Sequence, residues 1–298
     1  MKTITQIDIR PLSEKVGQQV INASNNSILD LDKESIINLY LSHGLLLFRG
    51  FEKDVETFTK FTDDLSTNFM DYAGGVFNRR VINNNPTVLS VNDFNDEIKL
   101  HGEMYYQKNI PKMLWFFCAQ PASKGGATIV CDGKRFYNVL DDSLKELFNL
   151  KKLKFRAHLD KDKWIKRFKT EDLSLVEQIC QSNDYHLQVN EDESIDMCYI
   201  SPAIHPGRNR EDMIFINSLL PGMVFSPETI SFDDDSDIDS ETMSKLNEIA
   251  EKVTVEINWQ KGDILMVDNT RIMHGRRAFE DDKRDIYVRL CSPAFSVN

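Results

Sequence analysis

His101 and Glu103 lie two residues apart in Leu100-His101-Gly102-Glu103-Met104-Tyr105-Tyr106, among residues that suit a strand. Side chains alternate along a strand with a period of two, so the imidazole and the carboxylate would share one face. Such a pair either binds a metal or forms an ordinary ion pair. The choice depends on what else reaches that face. His274 is a third candidate, in Asp268-Asn269-Thr270-Arg271-Ile272-Met273-His274-Gly275-Arg276, after the apolar run 264–267 and before the last strand. Two histidines and one carboxylate on one sheet face make a facial triad. It leaves three cis positions open on a six-coordinate metal, which suits non-haem Fe(II) that must bind a cosubstrate and O2 together.

Such chemistry also needs an anchor for an anionic cosubstrate. A guanidinium grips a carboxylate through two parallel hydrogen bonds, and Arg284 and Arg289 flank or lie in the last strand. Thr128, after Gly125-Gly126-Ala127, could donate a hydroxyl to the same group. Alternation puts Tyr287, Arg289 and Cys291 opposite Ile286, Val288 and Leu290. A buried Arg needs a partner, so Arg289 is the preferred anchor; Arg284, at the strand start, also suits a surface position. Of the other histidines, His43 sits at a helix end, His158 and His186 fall in a charged stretch and read as surface, and His205 before Pro-Gly stays open.

The elements that must hold these residues can be read along the chain. Asp32 caps a helix from Lys33 to about His43 that Gly44 stops. A buried strand follows at 45–49 and a helix at about 54–65. After Tyr72-Ala73-Gly74-Gly75, short β-type runs appear at 87–91, 98–106, 113–119 and 128–131, then a helical pattern over 136–150. Residues 151–190 read as a charged insertion carrying helix. Further β-like runs fall at 197–201, 213–217, 253–259, 264–267 and 286–291. Stretches around 72–96 and 160–190 are candidate lids. The acidic run 232–239 reads as a mobile loop; it lacks the glycine and distal Glu of a calcium loop. Many short strands with a few helices predict a mainly β fold with flanking helices, a double-stranded β-helix or jelly roll, as one domain over 1–298.

Composition narrows the function. The 298 residues carry a formal net charge of -11, so the mean field disfavours nucleic acid or an anionic membrane as partner. No apolar run approaches a membrane span, and no signal-peptide h-region is visible. The five cysteines (Cys118, Cys131, Cys180, Cys198, Cys291) are odd in number and widely spaced, which predicts a reducing, cytoplasmic setting rather than a disulfide framework. There is no Gly-x-Gly-x-x-Gly or P-loop pattern.

With these residues in place, the sequence resembles the taurine dioxygenase-like (TauD/TfdA) family of Fe(II)/2-oxoglutarate-dependent oxygenases, and more closely its syringomycin-biosynthesis hydroxylase-like branch. The matching stretches run nearly the whole chain: Ser42-His43-Gly44 to Gly50-Phe51, Tyr72-Ala73-Gly74-Gly75, Leu100 to Met104, Pro111 to Cys118, Pro121 to Thr128, Lys261-Gly262-Asp263-Ile264, and Asp268-Asn269 leading to His274-Gly275-Arg276. The resemblance implies iron held by His101, Glu103 and His274, with Thr128 near the 2-oxoglutarate carboxylate. Halogenating relatives have Ala or Gly at the middle ligand, so Glu103 argues against halogenation. The family's Arg-x3 spacing on the last strand is not kept, because Arg284 and Arg289 have four residues between them; Arg289 is thereby a candidate to have taken over the anchor. An Arg near the Gly-Gly turn, here Arg79, is implied as a substrate-carboxylate contact, with a surface loop position as the alternative. The expected activity is hydroxylation of an unactivated C–H of a small amino-acid-like metabolite, free or carrier-tethered, in natural-product biosynthesis. Epoxidation or desaturation with the same iron site is the first alternative, and a non-oxygenase cupin-type metal protein the second.

Overall fold

The computed structural model describes residues 7–70, 79–92, 94–281 and 283–296; the Tyr72–Gly75 stretch and part of the first candidate lid lie outside them. Two facing sheets form a jelly roll. The larger runs in the order Ile7–Pro11, Gln18–Asn22, Leu45–Arg49, Ile264–Asp268, Met113–Gln120, Asp285–Pro293, Asn85–Ser90, Val81–Ile82, with Ser66–Met70 also on Asp285–Pro293. The smaller runs Val255–Ile257, Thr128–Asp132, Ile272–Arg276, Ile98–His101. Pairings in both are antiparallel except Gln18–Asn22 with Leu45–Arg49.

Alternation explains the layering. Leu114, Phe116, Ile286, Val288 and Leu290 of the large sheet meet Val130 and Ile272 of the small one in the interior. The opposite face of the large sheet carries Trp115, Phe117, Tyr287 and Cys291 under the helices Lys33–His43 and Val55–Asp63. The outer face of the small sheet, with Ile129, Cys131 and Met273, is covered by the helices Gly133–Val139, Asp142–Leu150 and Ser240–Val253. The Asp32 carboxylate accepts from Ser35 N–H and Gly44 closes the helix at φ 69°, as the sequence predicts.

Several boundaries differ from expectation. The helical pattern 136–150 is two helices, because Asp141 caps a fresh start by accepting from Leu144 N–H. The 253–259 run is split, with Val253 ending a 14-residue helix whose apolar stripe is masked in the sequence by the acidic residues around it. The 98–106 run is a strand only to His101; beyond it Met104 takes a left-handed φ of 64° and the chain turns.

A third sheet, in the order His186–Val189, Ile195–Ser201, Leu153–Leu159, Ile230–Phe232, lies in and beyond the charged stretch 151–190. Helices Lys161–Phe168 and Leu173–Ser182 cover it, and Trp164, Val176, Cys180, Ile195 and Met197 give it a core of its own. The acidic run 232–239 is tied to this sheet rather than loose: Lys151 pairs with Asp234 at 2.8 Å, Lys154 with Asp235 at 2.6 Å, and Arg156 also with Asp235. The basic and acidic clusters of the sequence thus neutralise each other.

Candidate metal centre

His274 sits on the central strand of the small sheet, in register with His101 on the next strand. Parity with Ile272 turns it inward. Gly275 makes this pairing possible: a Cβ there would stand 2.4 Å from the Ile98 carbonyl oxygen, so no larger residue admits the neighbouring strand so closely. The two imidazole rings lie 4.4 Å apart, centroid to centroid.

Glu103 reaches the same point from the turn, not from a strand. Asn269, fully buried, holds it there: Glu103 N–H donates to Asn269 Oδ1 at 2.8 Å, and Asn269 Nδ2 donates to Glu103 O at 3.0 Å and to Pro111 O at 2.7 Å. Ser218 Oγ donates to Gly102 O and accepts from Tyr105 N–H on the other side of the turn. Neither role is visible in spacing, since both partners are distant in sequence.

The three side chains converge on one point. Glu103 Oε2 lies 3.5 Å from His101 Nε2 and 3.3 Å from His274 Nε2, and one ligand atom from each residue falls within 4.8 Å of the others. His101 Nδ1 is 2.9 Å from Lys99 O, which places the ring proton there and turns the Nε2 lone pair toward Glu103. Burial, reinforced by the neighbouring His101, pushes the His274 pKa down to about 4, so its ring is neutral and can ligate at physiological pH. Burial raises the Glu103 pKa, but the Arg79 charge and the two imidazole contacts outweigh it and hold the carboxyl well below its usual range. Two imidazole nitrogens and one carboxylate oxygen fit a borderline divalent cation such as Fe(II).

Arg79 lines the cavity beside Glu103. Its Nη2 donates to Glu103 Oε1 at 2.9 Å, so one carboxylate oxygen faces the imidazoles and the other is engaged by the guanidinium.

The arginines of the last strand separate by parity. Arg289 lies with Tyr287 and Cys291 on the outward face, where it pairs with Asp63 at 2.8 Å, donates to Thr62 Oγ1, Thr59 O and Thr87 Oγ1, and stacks on Phe69. The preference for Arg289 as anchor is thereby corrected: it does not reach the metal-bearing cavity. Arg284 does. It is buried, shares inward parity with Ile286 and Val288, and lines a cavity of about 450 Å³ together with His101, Glu103, His274 and Thr128. Among the described residues its donors meet Asn92 Oδ1 at 2.8 Å and the carbonyls of Val91 and Gly126, and no carboxylate. Burial, with Arg276 nearby, depresses its pKa. Gly126, at φ 69°, leaves its space: a Cβ would lie 3.1 Å from Arg284 Nε. Thr128 Oγ1 accepts from Trp259 Nε1 at 2.9 Å, which leaves the hydroxyl proton to donate elsewhere.

Of the remaining histidines, His158 lines the same cavity. His158 and His186 are exposed, as expected, and His43 ends its helix; His205 stands edge-on to Tyr105 with ring centroids 5.2 Å apart.

Comparison with known proteins agrees with this geometry. The family model "Taurine catabolism dioxygenase TauD, TfdA family" matches residues 8–291. The dapdiamide synthesis protein DdaC of Enterobacter agglomerans is 25% identical over 315 residues, covering 97% of this chain and 95% of that protein. A clavaminate synthase-like protein of Arabidopsis thaliana is 23% identical over 280 residues, covering 87% and 84%. Among solved structures, PvcB of Pseudomonas aeruginosa superposes with a TM-score of 0.63 at 18% identity over 96% of this chain and 91% of that one. A taurine dioxygenase of Burkholderia xenovorans gives 0.64 at 15% identity over 96% and 89%. At these identities the structures speak for the jelly-roll fold.

Proposed function

This chain belongs to the TauD/TfdA dioxygenase family, and we propose that it is an Fe(II)- and 2-oxoglutarate-dependent oxygenase that hydroxylates an unactivated C–H of a small amino-acid-like metabolite in natural-product biosynthesis. The observation that carries the reading is the convergence of His101, Glu103 and His274 on the wall of a cavity that is also lined by buried Arg284, which has no carboxylate partner among the described residues. PvcB, described as an Fe, alpha-ketoglutarate-dependent oxygenase from an isonitrile synthetic pathway, and DdaC of dapdiamide synthesis support the biosynthetic setting.

His101, Glu103 and His274 would hold the iron, which supplies O2 activation coupled to oxidative decarboxylation of 2-oxoglutarate to succinate and CO2. Arg284 binds the far carboxylate of 2-oxoglutarate, and Thr128 donates its hydroxyl to the same group; a buried guanidinium without an anion gains most from one. Arg79 engages the outer oxygen of Glu103, so the carboxylate offers a single oxygen and keeps the open positions clear. Phe116 and Val288 on the cavity wall exclude water from the reacting C–H. Glu103 would fill the position a halide would need, which argues against halogenation.

Succinate release from 2-oxoglutarate, dependent on Fe(II) and O2 and abolished by Glu103→Ala, is the test. Absence of 2-oxoglutarate binding and of turnover across a panel of amino acids and dipeptides would refute the reading. Mass spectrometry of the product separates hydroxylation, with gain of one oxygen, from desaturation, with loss of two hydrogens.

A further inference from the structure

The third sheet supplies one wall of the metal-bearing cavity, through Phe155, Arg156, Arg167, Tyr185 and Met197. Several of its cations are paired with carboxylates. Arg156 and Lys154 pair with Asp235, Lys161 with Glu193 at 2.8 Å, Lys163 with Asp160 at 2.7 Å, and His158 with Asp196 at 2.8 Å. Arg167 differs. It is half-buried at the end of the helix Lys161–Phe168, faces the cavity, and has no carboxylate partner among the described residues. Tyr185 lines the same cavity. Its phenol hydroxyl carries a proton to donate. Guanidinium and hydroxyl together offer the cavity two kinds of donor, in a chain of net charge -11. A guanidinium without a carboxylate partner is suited to grip an incoming carboxylate. Phe155 and Met197, beside them on the same wall, are buried and apolar.

We propose that Arg167 and Tyr185 form a carboxylate-binding subsite on this wall, and that the substrate is a free small organic acid whose apolar body packs on Phe155 and Met197. The word substrate rests on the oxygenase reading; the subsite itself does not. A thioester-tethered acid lacks the charge that Arg167 recognises, so the free acid is the form taken.

The test uses the full chain loaded with Fe(II) and 2-oxoglutarate without oxygen, titrated calorimetrically with 3-phenylpropionate and with its neutral amide. Bound 2-oxoglutarate keeps the probes from Arg284. The acid is expected to bind at least about tenfold more tightly than the amide. That preference falls to near unity in Arg167→Gln, weakens in Tyr185→Phe and is partly kept in Arg167→Lys, while 2-oxoglutarate affinity and melting temperature stay unchanged. Equal binding of the two probes, binding of neither, or a preference that survives Arg167→Gln overturns the proposal. Failure of the parent protein to take up 2-oxoglutarate refutes the oxygenase reading instead, and the acid-to-amide ratio with its dependence on Arg167 still decides the subsite.

Discussion

Arg284 and Arg289 are five positions apart on one strand, yet burial does opposite things to them. Arg289 is enclosed by Asp63, Thr62 and Thr87, so its charge is met by the protein itself. Among the described residues Arg284 meets only neutral acceptors. Arg284→Gln is therefore expected to raise the apparent KM for 2-oxoglutarate at least about tenfold with little change in melting temperature. Arg289→Gln should cost about 2 kcal/mol of stability and leave 2-oxoglutarate affinity alone. Steady-state kinetics and thermal melts on both variants check this, and the opposite pattern would return the anchor to Arg289. Arg79 stands one step behind the metal. Partners that orient a ligand commonly contribute a factor of about 10 to 100 in metal affinity, so Arg79→Gln should weaken Fe(II) binding by at least about tenfold. Anaerobic Fe(II) titration reads it, and an unchanged affinity would make the Arg79–Glu103 contact incidental.

At the scale of elements, parity is the lesson of the last strand. Ile286, Val288 and Leu290 are an unbroken apolar face, and counting back two residues from Ile286 gives Arg284. The signal for the inward arginine is therefore present in the sequence; Arg289 is preferred over it only if a buried Arg is taken to be a functional one. The triad residues are legible, because a His, a Glu two positions on and a distant His beside a strand together fit little besides a metal site. The turn that carries Glu103 is not legible, since Asn269 and Ser218 hold it from more than a hundred residues away. The third sheet makes its own prediction. Trp164 is buried at its centre and donates Nε1–H to Glu193 O at 2.9 Å. Trp164→Ala should remove about 3 to 5 kcal/mol from that core. Hydrogen exchange is expected to rise over 153–201 while the strands Thr128–Asp132 and Ile272–Arg276 stay protected; a uniform rise would mean that the sheets unfold as one.

Acid response belongs to the whole molecule. Between pH 7 and the sequence pI near 5.1 the net charge of -11 shrinks, and falling self-repulsion by itself favours the folded state. The metal site pulls the other way. His274 titrates near 6.5 when unfolded and at about 4 when folded, so its contribution is complete above 6.5 and is lost as pH falls toward 4. For the metal-free protein this amounts to on the order of 2 to 3 kcal/mol by about pH 4.5. Melting temperatures in chelator should therefore drop across this window for the parent and drop less for His274→Gln; parallel curves would sink the assignment. The jelly-roll class is readable from short apolar runs between turn residues. The helices Leu219–Phe225 and Ser240–Val253 are not, because neighbouring turn and acidic residues mask their stripes.

The separate core of the third sheet has a consequence for how such a molecule can change. Trp164, Val176 and Ile195 pack among themselves and not with the residues that set the register of His101 and His274. A lineage can then rewrite the cavity wall at Arg167 or Met197 with the oxidising half left intact. Drift in that region alters which molecule is oxidised before it alters whether anything is.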